Sequence, residues 1–263
     1  KSYKLVNFIK KIFSNILSTI ISTIIFFVIL LIFFSILGNY VNKKDSIPLE
    51  ENTVLKIDLS TPVVERSADN PIEFINNSGD NPIELKDLLM SIEKAKNDDR
   101  IKLIYLNFSE VNAGLSCIEE IRAKLVDYKT SGKQIIAYSN YYSQYSYLLC
   151  SVADKIYLNP NGFIDLKGIS ASVVFFKNLL AKIGVETQII RKGQFKSAVE
   201  PFTETKMSES SRLQTKLLIE DISEFMTNCI SEERNIEVSK INNDINELRL
   251  NSAAACKKLN YID

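Results

Sequence analysis

The sequence contains no histidine at all among its 263 residues. Without imidazole there can be no Ser-His-Asp or Cys-His catalysis, and the commonest metal-binding side chain in proteins is also absent. Any general base that works near neutral pH must therefore be a lysine or a carboxylate. We predict no metal site and no cofactor, and we take a lysine base as the candidate to look for.

Two further absences narrow the class of protein. There is no excess of charge of either sign, with 32 basic and 32 acidic residues, so the overall charge does not indicate nucleic acid as a partner. There is also no CxxC pair, so the cysteines fit neither a zinc site nor a small disulfide framework. They predict buried apolar thiols, with a long-range disulfide as the alternative in an extracytoplasmic domain. These cysteines are Cys117, Cys150, Cys229 and Cys256.

One long uncharged segment lies near the N-terminus. No charged residue occurs from Ile12 to Asn42, and residues 16–38 are nearly all Ile, Leu, Phe and Val with a few Ser and Thr. Roughly 23 helical residues span the ~30 Å hydrocarbon core of a bilayer. A cleaved signal peptide usually has a shorter apolar region of about 7 to 15 residues and a small-residue cleavage site. We therefore predict a single transmembrane helix.

Basic residues on either side of this span bear on its orientation. The chain has more of them before the span than after it, which favours a cytoplasmic N-terminus. Residues 1–45 are accordingly predicted to form a basic cytoplasmic end and a membrane anchor, with the rest of the chain on the outer side. The flanking charged residues are Lys1, Lys4, Lys10 and Lys11 before the span, and Lys43, Lys44 and Asp45 after it.

Beyond the anchor the pattern alternates between strand-like and helix-like segments. Residues 46–83 are predicted to hold a first strand, Thr53–Ser60, and a flexible arm rich in Pro, Asn, Asp and Ser, and residues 84–263 to form an α/β domain. Further strands are predicted at 101–108, 134–139, 155–158 and 186–191. Helices are predicted at 84–97, 117–128, 143–153, 172–183 with Phe175, Phe176, Leu179 and Leu180 inward, and 208–230 with a serine N-cap.

Lys196 lies in the segment RKGQFKSAVEPF, residues 191–202, between the last predicted strand and the last predicted helix. Sites in α/β proteins tend to lie at such junctions. A lysine is a base only when neutral, so a lysine pKa must fall from about 10.4 to roughly 7 or 8, at a cost on the order of 4 kcal/mol. Desolvation by apolar neighbours can supply this, and we expect Glu200 to point elsewhere. The apolar neighbours are Phe195, Ala198, Val199 and Phe202.

Several short segments follow one another in a specific order over most of residues 50–263. They are ADKIYLNP at 153–160, Gly168-Ile169, LLAKIGV at 179–185, FKSAVEPF at 195–202 and Met207-Ser208. This ordered set resembles the signal peptide peptidase A family, also called protease IV. The resemblance implies a crotonase-like (ClpP-like) α/β fold and a serine peptidase with a Ser/Lys dyad, in which Lys196 corresponds to the family's lysine.

The sequence departs from the short form of that family at two places. A gapless count back from Ile156 puts Gln144 at the nucleophile position, which carries no hydroxyl, and the oxyanion glycine pair is reduced to Ala113-Gly114. Both departures fit the N-terminal domain of the long, two-domain form, in which this half supplies the lysine and the serine lies beyond Asp263. The first residue, Lys rather than Met, agrees with a fragment.

The resemblance also implies where the protein acts and on what. We expect a single-pass protein of the bacterial inner (plasma) membrane, with its catalytic domain on the periplasmic side, that degrades remnant signal peptides or other short apolar peptides. The bilayer and other copies of the chain, in a homo-oligomer, are the expected partners, and nucleic acid is not. A catalytically incomplete, membrane-anchored interaction module is the alternative, and an acyl-CoA enzyme of the crotonase type is disfavoured by the anchor.

Other hydroxyl-bearing residues lie near these motifs and are further candidates for the site. An internal serine nucleophile is disfavoured, because Ser197 is adjacent to Lys196 and adjacent side chains on a helix diverge. A cluster of tyrosines predicts either a peptide groove or core packing, and we assign none of them to the site. The remaining serine candidates are Ser139, Ser143 and Ser146, and the tyrosines are Tyr138, Tyr141, Tyr142, Tyr145 and Tyr147.

Overall fold

The computed structural model describes residues 2–41, 49–66, 82–190, 192–193 and 196–263, with side chains from residue 10 to residue 36 in the first of these ranges. Some features of the sequence analysis fall outside the described residues: Lys1, the charged residues at 43–45, most of the predicted flexible arm, and Arg191, Gln194 and Phe195 of the segment around Lys196. The chain divides into two units, residues 1–49 and residues 50–263.

The first unit contains one helix, α1, which runs from Ser2 to Val41. Its segment Lys10–Ile36 has a hydropathy of 2.9 and no buried residue, and it is long and apolar enough to cross a membrane. A signal sequence near an N-terminus has the same properties. The hydroxyls of Thr19 and Thr23 donate to the carbonyls of Asn15 and Thr19, both at 2.8 Å, so these polar groups are satisfied inside the helix.

The second unit is built on a parallel sheet. Its described strands are β1 (Thr53–Ile57), β2 (Val63–Val64), β3 (Ile83–Glu84), β4 (Ile101–Leu106), β5 (Gln134–Ser139), β6 (Tyr142–Ser143), β7 (Lys155–Leu158) and β8 (Ile164–Asp165). The main sheet has the order β1-β4-β5-β7 with every pair parallel, and β2-β3 and β6-β8 form two short parallel pairs. Parallel pairing of consecutive strands requires crossovers, which the intervening helices supply.

The described helices of this unit are α2 (Leu85–Asn97), α3 (Leu115–Lys129), α4 (Gln144–Cys150), α5 (Lys177–Lys182), α6 (Glu200–Thr203), α7 (Glu209–Arg234), α8 (Val238–Asn246) and α9 (Ala253–Lys258). Helices α2 to α4 alternate with the strands, and the remaining described helices follow β8. Helix α2 packs on α3, while α4 contacts both α3 and α7. The alternation confirms the predicted mixed α/β class. The serine N-cap of α7 is confirmed too, because the Ser208 side chain accepts from the Ser211 amide.

The core is lined by aliphatic side chains of the central strands and by fully buried tyrosines. The hydroxyl of Tyr147 donates to the Tyr261 carbonyl at 2.8 Å, and that of Tyr142 donates to the Tyr157 carbonyl at 2.9 Å. These bonds satisfy polar groups that burial would otherwise penalise. Core packing is therefore the correct reading for Tyr142 and Tyr147.

The cysteines are free thiols, as the sequence predicts. Cys117, Cys150 and Cys256 are buried and Cys229 is half-buried. Burial raises the pKa of the Cys256 thiol to about 11 and that of the Cys150 thiol further. A thiol held in its neutral form is a poor nucleophile, so the structure gives Cys150 and Cys256 a packing role.

Two predicted elements between residues 172 and 191 are wrong. The helix predicted at 172–183 is reduced to α5. Of its supposedly inward residues, Phe176 and Leu179 are exposed, at 39% and 55%, and Phe175 and Leu180 are only half-buried. Residues 186–190 form no strand. The spacing of apolar residues predicts an apolar helix face. Such a face is buried only where another surface covers it, and the described residues cover little of it here.

Candidate active site

Lys196 stands immediately before a turn of 3-10 helix, Ser197–Val199, which leads into α6. Its side chain is exposed and makes no hydrogen bond or ion pair with any residue that the structure describes. Ala198 is exposed and Phe202 is 45% exposed, so these two neighbours do not enclose the ammonium. The apolar setting predicted around Lys196 is therefore not closed by the described residues.

Glu200 follows Lys196 by four residues and is buried, with 2% of its surface exposed. Its carboxylate accepts from the Ser208 hydroxyl at 2.6 Å and from the Ser208 amide at 3.1 Å. Ser208 is the N-cap of α7, where a negative charge is favoured by the helix dipole. The Glu200 carboxylate is thus directed at the start of α7.

Gln144 is the first residue of α4, and its predecessor Ser143 caps the helix. Its side-chain oxygen Oε1 accepts from the Gly168 amide at 3.1 Å, and its Nε2 lies 3.9 Å from the sulfur of Met226. The position that the family resemblance gives to the nucleophile is therefore filled by an amide that bridges two other segments of the fold.

The reduced glycine pair lies at the start of the preceding helix. Gly114 is the N-cap residue of α3 with an extended backbone, φ −67° and ψ 155°, and its carbonyl accepts from the Ile118 amide at 3.1 Å. Ala113 packs against the core. Both residues are accounted for by the local helix start.

The hydroxyls of the serine candidates on this side of the sheet serve local structure. Ser139 is 2% exposed and donates to the Tyr141 carbonyl at 2.6 Å. A hydroxyl has one proton, so the 2.7 Å contact of Ser139 with Ser109 must be donated by Ser109. Ser143 accepts from the Ser146 amide, and Ser146 donates to the Ser143 carbonyl at 3.0 Å. None of these three serines contacts a base among the described residues.

A cleft of about 350 Å³ opens where β4 and β5 end, which is the usual position of a site in a parallel sheet. Glu110 beside it accepts from the Tyr141 hydroxyl at 2.7 Å, which raises the pKa of Tyr141. Tyr141 in turn stacks on Phe163 with ring centroids 5.8 Å apart. The sequence analysis did not single out Glu110, which follows β4 by four residues. The cleft is lined by Ser60, Asn107, Phe108, Ser109, Glu110, Tyr138, Ser139 and Asn140.

No cluster of three or more Cys, Asp or Glu side chains that could hold a metal ion is present among the residues that the structure describes. The cleft is lined by polar side chains and one carboxylate, and it holds no nucleophile with an adjacent base. The parallel sheet and the helices that follow its strands define a mixed α/β domain.

The particular family follows from comparison with known proteins. Residues 127–263, just over half of the chain, match the family described as peptidase family S49. The chain therefore belongs to this family of serine peptidases, the signal peptide peptidase A family that the motifs indicated.

Individual relatives agree with this assignment. Protease 4 of Haemophilus influenzae is 36% identical over 157 residues, which is 59% of this chain and 25% of that protein. Protease 4 of Salmonella typhi is 34% identical over 158 residues, 60% of this chain and 26% of that protein. The chloroplastic serine protease SPPA of Arabidopsis thaliana is 27% identical over 192 residues, 71% of this chain and 28% of that protein. The chain thus spans about a quarter of the length of these relatives.

Proposed function

We propose that Lys196 is the general base of a Ser/Lys peptidase whose serine lies outside the 263 residues described by this sequence. The observation that carries the proposal is the contrast between two positions. Lys196 is exposed and uncommitted to any described residue, whereas Gln144, at the nucleophile position, is held by Gly168 and Met226. Among the described residues, the position that the resemblance gives to the nucleophile thus holds no hydroxyl to match this base.

The exposure of Lys196 also indicates how such a base is made. A lysine in water is protonated near neutral pH and cannot accept a proton. Apolar groups beside it are exposed as well, with Phe202 45% exposed and stacked on Phe176 at 6.1 Å between ring centroids. A second domain or chain that covers these rings would bury the ammonium at the same time. Desolvation then favours the neutral amine.

The proposed reaction has two steps. The neutral amine of Lys196 takes the proton of the serine hydroxyl while the serine oxygen attacks a peptide carbonyl, and the leaving amine departs with a proton from the ammonium. Water then hydrolyses the acyl-enzyme with the same lysine as base. Backbone N–H groups beside the serine stabilise the oxyanion in both steps.

Helix α1 supports a membrane location for this activity. Lys10–Ile36 is long and apolar enough to span a bilayer, and the excess of lysine before it favours a cytoplasmic N-terminus. The peptidase domain then lies on the periplasmic side of a bacterial inner membrane, where released signal peptides and other short apolar peptides are its substrates. Assembly into a homo-oligomer is part of the same proposal.

The test uses the full-length gene product and an apolar, signal-like peptide. Lys196→Ala is expected to lower kcat/KM by at least about a thousandfold, a loss on the order of 4 kcal/mol in transition-state stabilisation. Lys192→Ala, an exposed lysine four residues earlier, is the matched control and should keep parental activity. The parental rate should rise with pH between about 6 and 10 as a base is deprotonated. Equal activity in Lys196→Ala and the parent would exclude the dyad.

A non-catalytic interaction module is the second candidate, because Gln144 fills the expected nucleophile position and Ser139, Ser143 and Ser146 are committed to local hydrogen bonds. A serine-directed fluorophosphonate separates the two candidates. Covalent labelling of the full-length protein at a serine outside residues 1–263, lost in Lys196→Ala, favours the peptidase. Absence of labelling in a folded protein favours the module.

A further inference from the structure

Lys196 lies in the segment 170–207, which we name the lysine arm and of which the structure describes 170–190, 192–193 and 196–207. Most of these described residues are exposed. Residues 170–174 are exposed, α5 has no buried residue, and Ile190 is fully exposed. The two limbs of the arm contact each other, since the Phe176 amide donates to the Pro201 carbonyl at 2.6 Å. The position of Lys196 relative to the sheet therefore depends on how the two ends of the arm are attached.

The first end is attached at Gly168. Leu166 is buried and Ile169 packs against the core, so the chain leaves the core directly after these residues. Gly168 has a left-handed backbone, φ +84°, that turns the chain at this point. Its amide donates to Oε1 of Gln144 at 3.1 Å.

The second end is attached to the start of α7, where the Glu200 carboxylate accepts from the hydroxyl and the amide of Ser208. The C-terminal half of α7 packs on the core, with Met226 2% exposed. Nε2 of Gln144 lies 3.9 Å from the Met226 sulfur, a weak acceptor. Met226 lies about 27 Å along α7 from its start at Ser208, so this contact anchors the Gln144 amide on the buried part of α7. The amide therefore ties Gly168, where the arm leaves, to the core.

The chemistry of glutamine suits this position. A backbone amide can only donate, so the atom facing Gly168 must be the oxygen of the side-chain amide, and the NH2 group is then left to face Met226. A serine here would be too short to reach both partners. The acceptor oxygen of the side chain contacts Gly168, its NH2 group faces Met226, and its length allows both contacts.

We propose that Gln144 is a positioning residue for Lys196, which fixes the first end of the lysine arm by tying Gly168 to the buried part of α7. The proposal rests on the proposed function, in which Lys196 is the base. Gln144 stands at the position that the family resemblance gives to the nucleophile, and its role there would be structural. A displacement of the Lys196 amine by about 1 Å is expected to lower the rate by up to about a hundredfold.

The experiment compares substitutions of Gln144 in the full-length protein. Gln144→Met keeps the length of the side chain and removes the acceptor, and Gln144→Asn keeps the amide and shortens it by one methylene. Each should lower kcat by about ten- to a hundredfold with little change in KM, and should speed amide hydrogen exchange in residues 168–176. Gln144→Glu retains an acceptor oxygen and should recover most of the rate. Gln134→Met, at an exposed position of β5, is the control.

These outcomes distinguish the positioning role of Gln144 from the catalytic role of Lys196 on which it rests. Parental kcat in both Gln144→Met and Gln144→Asn, or unchanged exchange at 168–176, would overturn the positioning role. An equal loss in Gln144→Glu would overturn it as well, because the acceptor would not be what matters. Retained activity in Lys196→Ala would instead remove the dyad, while the exchange measurement would still decide whether Gln144 holds the arm.

Discussion

Glu200 and Ser208 are joined by two hydrogen bonds, one from the Ser208 hydroxyl at 2.6 Å and one from its amide at 3.1 Å. Since Ser208 caps α7 and Glu200 begins α6, this pair connects the end of the lysine arm to the long helix. The carboxylate is buried, so its removal would leave donors unsatisfied in the interior.

The first prediction concerns this pair. Glu200→Gln can accept only one of the two bonds and should lower the free energy of unfolding by about 1–3 kcal/mol, and Glu200→Ala by more. Urea unfolding at neutral pH measures the loss. Glu209→Gln, the next acidic residue at the same helix start and an exposed one, is the control. Equal midpoints for Glu200→Gln and Glu209→Gln would contradict the prediction.

The second prediction contrasts two buried tyrosines. Tyr147→Phe removes the donor to the Tyr261 carbonyl and should destabilise the protein by about 1–2 kcal/mol. The Tyr128 hydroxyl is buried without a hydrogen-bond partner among the described residues, and burial, then Asp154, raises its pKa to about 12. Tyr128→Phe should therefore be neutral or stabilising. Thermal unfolding of the two variants side by side checks the sign, and the same loss in both would be the wrong result.

The third prediction uses a glycine that is required by close packing. A Cβ on Gly162 would lie 2.2 Å from the Asn140 carbonyl oxygen, a backbone atom that cannot yield easily. Gly162→Ala should destabilise the protein by at least about 1–3 kcal/mol. Gly114→Ala is the matched control, because its Cβ would meet nothing closer than 4.0 Å. The prediction fails if both variants unfold at the parental urea concentration.

The fourth prediction follows from Asp263. Burial alone would raise its pKa, but the Ile156 amide, Lys155 and Arg234 outweigh burial and lower it. A carboxylate with a depressed folded pKa stabilises the protein above its unfolded pKa, about 3.9, and this stability is lost as pH falls through the folded value.

Asp263→Asn should consequently lower stability near pH 7 by about 1–3 kcal/mol and flatten the loss of stability below about pH 4. Urea unfolding between about pH 2 and 7 follows both effects. Asp99→Asn, at an exposed carboxylate, should keep the parental profile. A parental acid limb in Asp263→Asn would show that other groups control it.

The fifth prediction concerns α1. Deletion of residues 1–45 removes the apolar segment Lys10–Ile36 and should move the protein from the membrane fraction to the soluble fraction. Carbonate extraction followed by sedimentation gives the distribution, and folding of the soluble product is checked by circular dichroism. A truncated protein that remains in the carbonate-resistant membrane fraction would place its anchor elsewhere.

The alternation of strands and helices was predictable from short-range patterns. The strands β5 and β7 have the predicted bounds, and α2 begins one residue after its predicted start. These elements carry strong apolar runs or 3.6-residue periodicity, which act over a few residues. The two-residue strands β2, β3, β6 and β8 carry no such signal.

The lysine arm shows where that reasoning fails. Phe176 and Leu179 have helical spacing, but both are exposed among the described residues, so the spacing did not predict their burial. The bridge made by Gln144 was equally invisible, since its partners Gly168 and Met226 are 24 and 82 residues away in sequence. Local periodicity contains no information about such distant contacts.

By itself, the sequence determined the class of chemistry, the apolar N-terminal segment and the family, because these depend on residue types and on their order along the chain. The absence of histidine and the motif around Lys196 needed no coordinates. Only the tertiary structure decided that Gln144 is held by Gly168, that Glu200 serves Ser208 and that Lys196 is open to solvent. Those facts depend on which distant segments meet, and that is set by the packing of the whole domain.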